Sequence, residues 1–372
     1  MRVEKNKILQ IGVLVGCFVV FGALLFFANF VRPDVEGRVG LYNERGRVVN
    51  VAYEELRYES ANGIFPYQTL EVEVLSGEFR GMLIEASNNL LDTRLRAFDV
   101  GDRVIVELTD FDFRIVAPER AMSHIIFVLF FLVLLCIVGG KRGFLSVAGI
   151  IFSLVSIMFI LIPLTLAGYS SILIASVVGI LIAVVTIVLL AGVNAKSISA
   201  ITGCIFGVFF ASIFAFISGH FAFISGYHTE HAGFLIGSTG GRISLSGIFI
   251  SGVIIAAIGA ISDTSMTIAS AMEEVKLANP AISMKDLALA GLNVGRDAMG
   301  TMSNTLILAF VGSSFSLLLL ITSRNVTWIE FLNDSIIGTE IIQGIAGSIG
   351  IILTVPITTV VAAKLFSSTV NK

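Results

Sequence analysis

Long apolar runs separated by short polar segments fill most of this chain. A helix needs about 20 apolar residues to cross the hydrocarbon core of a bilayer. Runs that meet this length lie near 8–31, 122–140, 144–167, 171–193, 198–224, 244–265, 300–322 and 336–366. Glycine and polar residues interrupt the fifth and the last of them. The pattern predicts a polytopic α-helical membrane protein with about eight transmembrane helices.

Residues 32–121 have a different pattern, in which polar and apolar positions alternate in short runs bounded by Gly, Asn and Asp. Alternation with a period of two is typical of half-buried strands. Five or six such strands predict a small all-β, barrel-like domain. The predicted organisation is therefore an anchor helix (1–31), a β domain (32–121) and a helical bundle (122–372) with a connector at 264–299.

Basic residues predict the orientation of the helices. Nine of them fall on one side of the predicted membrane: Lys5, Lys7, Lys141, Arg142, Lys196, Lys276, Lys285, Arg296 and Lys364. The opposite short loops carry only Arg242 and Arg324. Since cytoplasmic loops are enriched in Lys and Arg, both termini and the 264–299 connector are expected to be cytoplasmic. The β domain is then extracytoplasmic, and the expected location is the cytoplasmic (cell) membrane.

The first apolar run also resembles a secretory signal. It is longer than the usual 7–15 apolar residues, and no A-x-A cleavage pattern follows it. We interpret residues 1–31 as an uncleaved signal anchor.

Composition agrees with the membrane class. The 372 residues are 56% hydrophobic and 14% charged, with a mean hydropathy of +0.94. The net charge of −3 gives no electrostatic basis for binding nucleic acid. Cys17, Cys136 and Cys204 lie inside apolar runs without metal or disulfide spacing, and no Walker-type loop occurs. No cofactor is expected.

Polar residues at helical spacing mark the end of the sixth predicted span. Asp263, Thr267, Ser270 and Glu274 follow one another at intervals of four, three and four residues. This spacing places them on one helical face. On the next predicted span, a second polar stripe consists of Asp297, Thr301, Asn304 and Thr305. Lipid offers no hydrogen bonds, so both stripes are expected to face protein or water.

Arg296 has three open interpretations. It can pair with Asp263 on the neighbouring helix in a titrating or ion-coupled site. It can also anchor the helix by snorkelling at the cytoplasmic boundary, or form a purely structural pair. Asp297 is a poorer partner because adjacent helical residues point about 100° apart.

Further candidates flank this region. Glu273 and Glu274 lie in the connector, and Glu340 and Gln343 lie near the outer end of the last span. His220, His228 and His231, with Glu230, are weak candidates for zinc ligands. Their spacing matches no HExxH motif, so ordinary interfacial polarity is expected and no metal is assigned.

The segments GAISDTSMTIASAMEE and GLNVGRDAMGTMSNTLILAFVGSS strongly resemble the YibE/F-like family of bacterial polytopic membrane proteins. The resemblance covers about 122–366 and rests on these residues: Asp263, Glu273, Gly295, Arg296, Asp297, Gly300, Thr301, Asn304 and Thr305. The resemblance implies a polytopic membrane protein of this family, and it does not indicate a chemical reaction. The order of anchor, extracytoplasmic domain and bundle is also similar to half of a SecD/SecF or RND-type transporter, as a likeness of layout alone.

These observations favour a proton- or ion-coupled secondary transporter or export component with an unknown small-molecule, ion or lipid substrate. Asp263 would be the protonatable group, Arg296 its charge partner, and the two stripes the polar path. The alternative is a non-transporting assembly or scaffold protein whose β domain binds a partner. A second membrane protein or a homo-oligomer is compatible with either. An enzyme is not expected, because the histidines and Asp263 lie on opposite sides of the predicted membrane.

Overall fold

A computed structural model describes residues 2–31, 42–55, 66–90, 96–109, 112–224, 226, 232–324 and 326–368. The chain divides into two compact units, Asp34–Leu134 and a helical unit of Met1–Pro33 with Leu135–Lys372. The first unit contains strands β1 (Tyr42–Glu55), β2 (Tyr67–Val74), β3 (Leu83–Asn89), β4 (Arg103–Leu108) and β5 (Phe113–Pro118).

The helices are α1 (Arg2–Phe30), α2 (Ala121–Ser156), α3 (Ile162–Leu166), α4 (Ser171–Ala191), α5 (Ala195–Phe221), α6 (Ala232–Thr239), α7 (Leu245–Ala278), α8 (Met284–Ser313), α9 (Phe315–Ser323), α10 (Trp328–Asn333) and α11 (Ser335–Ser368). A π-helical turn, Ile157–Leu161, joins α2 to α3. The protein is thus mostly helical, with a small β unit after the first helix.

The five strands form a closed barrel in the order β1-β2-β3-β5-β4. The 14-residue β1 pairs with both β2 and β4, and the register shifts along its pairing with β2 let the strand bend. Along β2 and β3 every second residue is buried, as the period-two pattern predicts. The predicted small barrel is confirmed, with five strands.

A buried amide network holds the barrel together beside its apolar core. The Gln68 Oε1 atom accepts hydrogen bonds from the Phe98 backbone N–H and from Asn88 Nδ2, both at 2.9 Å. The side chains of Gln68 and Asn88 are almost completely buried. Since an unpaired buried amide is costly, this network fixes the 96–99 segment on β2 and β3.

The alternation predicts that the acids of this domain lie on the solvent-exposed faces of the strands. Glu107 is an exception. It is only 2% exposed and pairs with the largely exposed Arg114 on the neighbouring strand β5. Burial of a carboxylate is tolerated here because the guanidinium supplies a charged hydrogen-bond donor. This bond to Glu107 raises the pKa of Arg114, so the guanidinium stays charged.

Six described helices are long and apolar enough to cross a membrane, or seven if the bent pair α8 and α9 forms one span. One of these elements, Ala121–Leu166, is 46 residues long. It is interrupted at Gly140, whose φ of 54° and ψ of −132° are not helical. The predicted runs 122–140 and 144–167 lie on either side of this glycine.

The chain turns sharply at Gly140. In a continuous helix, residues eight apart are separated by about 12 Å. Here a Cβ on Gly143 would collide with the backbone carbonyl of Leu135, eight residues earlier. The helix is therefore broken at Gly140, and the positive φ of this residue is the conformation that only glycine adopts readily.

Helix α11 is the centre of the helical unit and packs against α5, α7 and α8. Its approach to α5 is close because small residues meet there. A Cβ added to Gly207 of α5 would lie 3.0 Å from the Gly350 carbonyl oxygen and would overlap the Thr354 hydroxyl. The Thr354 hydroxyl itself donates a 3.0 Å hydrogen bond to the Gly203 carbonyl oxygen. Such small-residue faces allow membrane helices to pack backbone to backbone.

Helices α7 and α8 form a second hairpin that extends beyond a bilayer core. They contain 34 and 30 residues, about 51 and 45 Å, whereas the core is about 30 Å thick. The turn is fixed by a 2.8 Å hydrogen bond from Lys276 Nζ to the Pro280 carbonyl oxygen and by the Ser283 N-cap. The extended ends pack on the C-terminal half of α11 through Met272, Leu287 and Phe366.

Substitution of Gly207 by Ala is expected to destabilise the helical unit by about 1–3 kcal/mol, because the new methyl group would overpack the α5–α11 contact. Gly259→Ala on α7 is the matched control, since a Cβ at that position meets nothing within 4 Å. Thermal unfolding in detergent measures the difference. Equal midpoints for the two variants would contradict close packing at Gly207.

Substitution of Gln68 by Leu is expected to destabilise the barrel by about 2 kcal/mol, because the Phe98 N–H and the Asn88 amide lose their shared acceptor. Glu71→Leu, on the exposed face of the same strand, serves as the control. Limited proteolysis of the full-length protein should cleave the Gln68 variant within the β unit at a lower temperature. The interpretation fails if both variants resist proteolysis equally.

Candidate functional site

The first polar stripe lies on an uncovered face of α7. Asp263 and Thr267 are exposed in the single chain, whereas Thr264 and Ser265 are buried. The buried hydroxyls donate to the backbone one turn earlier, Thr264 to Ala260 at 2.8 Å and Ser265 to Ile261 at 2.5 Å. These two buried hydroxyls thus find their acceptors within α7. They do not use the Asp263 carboxylate, which remains available to other partners.

The second stripe lies on an uncovered face of α8. Asp297, Thr301, Asn304 and Thr305 are all exposed. Thr301 and Thr305 donate to the carbonyl oxygens of Ala298 and Thr301, at 3.0 and 2.9 Å. Within the described residues the Asn304 amide has no hydrogen-bond partner, and an amide at this depth of a membrane span needs protein or water.

The hairpin brings the two stripes to the same level. Asp263 lies fifteen residues before Ala278, the end of α7, and Met299 lies fifteen residues after Met284, the start of α8. Because both helices rise equally per residue, Asp263 lies at the height of Met299 on α8. This height is within the second stripe, between Asp297 and Thr301. The two faces point away from the α7–α8–α11 core, which is built from Ile268, Gly295 and their neighbours.

Arg296 and Asp263 form no ion pair within 4.0 Å in the described structure. The Arg296 Nη1 atom instead donates to Asn293 Oδ1, one turn earlier, at 3.3 Å. In this conformation the Arg296 side chain is exposed and bonded within its own helix. All three interpretations of this residue stay predictions.

Comparison with protein families shows which family this chain belongs to. The family model described as YibE/F-like protein matches residues 127–368, more than half of the chain and all of α7, α8 and α11. The chain belongs to the YibE/F-like family. No curated protein and no solved structure matches it. The family match agrees with the resemblance inferred from the polar motifs.

In this YibE/F-like chain, Glu273 has a structural partner that its position in sequence did not reveal. Its Oε2 atom lies 3.3 Å from Lys196 Nζ, at the start of α5. Asn194, two residues earlier, caps α5 through the Ser197 N–H. The ion pair connects α7 to the first turn of α5, whereas the neighbouring Glu274 is exposed.

Glu340 and Gln343 lie near the first turns of α11, far along the chain from the α7–α8 turn. The Glu340 Oε2 atom is buried and has no hydrogen-bond partner in the described structure. Glu340 is one of the residues that line a mostly apolar cavity of about 330 Å³ between α8, α9, α10 and α11. Gln343 is half-buried and faces α7 at Gly252.

The sequence motifs missed the other residues of this cavity, which include Phe310, Ser314 and Phe331. The α8–α9 pair bends by 58° at Ser314, and this bend brings the cavity wall together. A run of polar residues just before an apolar segment, GSSFSLLLL, is the only sequence signal of the break.

The weak zinc candidates are not assembled by the described structure. His220 is exposed at the end of α5, and His228 and His231 lie outside the described residues. Among the residues the structure describes, no three His, Cys, Asp or Glu side chains are grouped as metal ligands.

A cysteine at position 304, in a variant lacking Cys17, Cys136 and Cys204, is expected to react with a water-soluble methanethiosulfonate. The reason is that an exposed amide in a membrane helix requires hydration or a protein partner, and the thiolate forms only in water. Phe209→Cys, exposed on apolar α5, is the lipid-facing control and should react at least about tenfold more slowly. Labelling rates in native membranes measure this. Equal rates would show that the α8 stripe is not hydrated.

Proposed function

We propose that this YibE/F-like protein is a proton- or ion-coupled secondary transporter or export component of the bacterial cytoplasmic membrane. The observation that carries the proposal is the position of Asp263 on an exposed face of α7, level with the polar stripe of α8, with no hydrogen-bond or ion-pair partner among the described residues. Ionisable groups in such positions are costly and commonly mark ion or proton pathways. Its substrate is unassigned, and the proposal contains no catalytic step.

In this proposal Asp263 binds and releases the coupling ion, and Arg296 swings from Asn293 to pair with it when the ion leaves. Asp297 organises the connector at the membrane boundary. Thr267, Thr301, Asn304 and Thr305 line a hydrated path, which a second membrane protein or a second copy of the chain closes. Two polar faces that the single chain leaves uncovered support a closing partner.

The proposed topology has eight spans with both termini in the cytoplasm. It counts α8 with α9 as one span and the element broken at Gly140 as two, which raises the six long apolar elements to eight. The basic residues at the α7–α8 turn, Lys276 and Lys285, then lie on the cytoplasmic side. The barrel lies outside the cytoplasm, where it contacts a substrate, a lipid or a partner.

A scaffold that does not transport is the second candidate function. The observation that favours it is the same uncovered polar surface, since a static partner helix would satisfy Asp263 and Asn304 as well as water would. Under this alternative Asp263→Asn weakens assembly and stability. Deletion of residues 33–118 then abolishes function.

Substitution of Asp263 by Asn is expected to reduce ion or proton flux to the level of protein-free liposomes, because the amide cannot exchange a proton or hold a cation. The measurement is a pH jump across proteoliposomes, with folding checked by thermal unfolding in detergent. Asp286→Asn is the control, because Asp286 is an exposed acid in the first turn of α8 that contacts only the Ser283 cap.

Flux that persists in the Asp263 variant would refute this role for Asp263. If the folded wild-type protein shows no flux, the transporter proposal fails and the scaffold remains.

A further inference from the structure

The membrane-spanning part of α7 directs a face of small and polar side chains outward. Between Gly247 and Ser270 the exposed residues are Ala256, Gly259, Asp263 and Thr267. Among these described residues of α7, no large hydrophobic side chain is exposed. Helix α5 instead exposes several phenylalanines and isoleucines, as expected of a face against lipid. The α7 face therefore has the composition of a helix interface, where small residues let two backbones approach closely.

Helix α8 continues this surface. Between Leu289 and Ile307 it also exposes no large hydrophobic side chain among the described residues. A Cβ added to Gly300 would meet nothing within 4 Å, whereas one added to Gly295, on the buried face, would collide with Val355. Glycine weakens a helix, and packing inside this chain does not require it at position 300. Close approach of a helix from another molecule would account for it.

The exposed residues of α8 have the spacing of paired helices. Five of them follow one another at intervals of four, three, four and three residues and form what we call the α8 seam: Asp297, Thr301, Asn304, Leu308 and Val311. A mean spacing of about 3.5 residues is typical of two helices that pack side by side at a small crossing angle. The seam is about 21 Å long, and the chain bends just after it, at Ser314.

The spans of this chain outside the central bundle offer no chemical match for this face. The span after the β unit runs from Ile125 to Val138 without a polar side chain other than Cys136. Helix α1 is already packed on α4 through Phe21 and Leu24. A polar membrane face that these spans do not match requires a second protein molecule to separate it from lipid.

The polar groups of the α8 seam are complementary to themselves. Copies of a membrane protein share one orientation, so a two-fold axis between two copies runs along the membrane normal and sets each seam residue beside its own counterpart. Arg296, which flanks the seam, then lies near Asp297 of the other copy, and the four charges cancel. Asn304 meets Asn304, and two carboxamides satisfy each other because each is both donor and acceptor.

We propose that the α7–α8 face is the contact between two copies of this chain, which pack with their α8 helices parallel along the seam. Leu308 and Val311 form the dry end of the contact. Its polar part, 297–305, borders the path beside Asp263. Identifying the contact with the wall of an ion path rests on the proposed function, whereas the contact itself does not.

The first test is disulfide cross-linking in native membranes, using full-length chains that lack Cys17, Cys136 and Cys204 and carry one new cysteine. With copper phenanthroline, Leu308→Cys is expected to form covalent dimers at least about tenfold faster than Ile307→Cys, because adjacent helical residues point about 100° apart. Ile307 is the matched control, since it is also exposed and lies at nearly the same depth. Equal rates, or cross-linking to a protein of another mass, would overturn the proposal.

The second test counts chains per particle by single-molecule photobleaching in liposomes at increasing dilution. Arg296→Asp is expected to weaken dimerisation at least about tenfold, because it brings four carboxylates together, and adding Asp297→Arg should restore the dimer. Lys285→Asp is the control, since it reverses an exposed charge beyond the seam and should leave dimerisation unchanged. A monomeric wild type, or no recovery in the folded double variant, would overturn the proposal.

Neither test measures flux, so their outcomes are separable from the Asp263→Asn result. A dimer without flux would refute the transporter and leave this contact in place. Flux from a monomer would refute the contact alone.

Discussion

The close approach of α5 to α11 is the constraint on which the helical unit depends. Gly203 and Gly207 lie against Gly350, Thr354 and Thr358, so that backbone and hydroxyl groups occupy the space that side chains normally fill. Apolar side chains gain little by leaving lipid for a helix interface, so dense packing and short polar contacts must supply the stability. An adjacent face of α11 receives α8, whose Gly295 fits against Val355.

This packing sorts the polar residues of α7 and α8 into two classes. Hydroxyls that point inward, such as those of Thr264 and Ser265, donate to their own helix and need no further partner. Groups that point outward, such as Asp263 and Asn304, have exposed positions beside a bilayer that cannot hydrogen-bond to them. A hydrated path or a protein partner is the physical requirement of these outward faces, whichever function they serve.

Asp263 and Glu340 have different surroundings, although neither forms an ion pair within the described structure. Asp263 lies on an exposed face of α7, at the level of the polar stripe of α8. Glu340 lines a mostly apolar cavity bounded by the bent pair α8 and α9 and by the rings of Phe310 and Phe331, and its Oε2 atom is buried. Pro163 lies in the first turn of α3, one residue after the π-helical turn Ile157–Leu161 ends, and its missing N–H adds to the irregular hydrogen bonding there.

The sequence by itself determined the membrane class, the β unit, the two polar stripes and the family, because hydropathy, residue alternation and helical spacing are local properties. The tertiary structure decided the rest. It broke the element 121–166 at Gly140, buried Glu107 against Arg114 and left Arg296 bonded to Asn293. It also closed a cavity around Glu340 by bending α8 against α9. Which face of a helix is covered depends on helices that are distant in sequence. The spacing of residues within one helix does not reveal which helices those are.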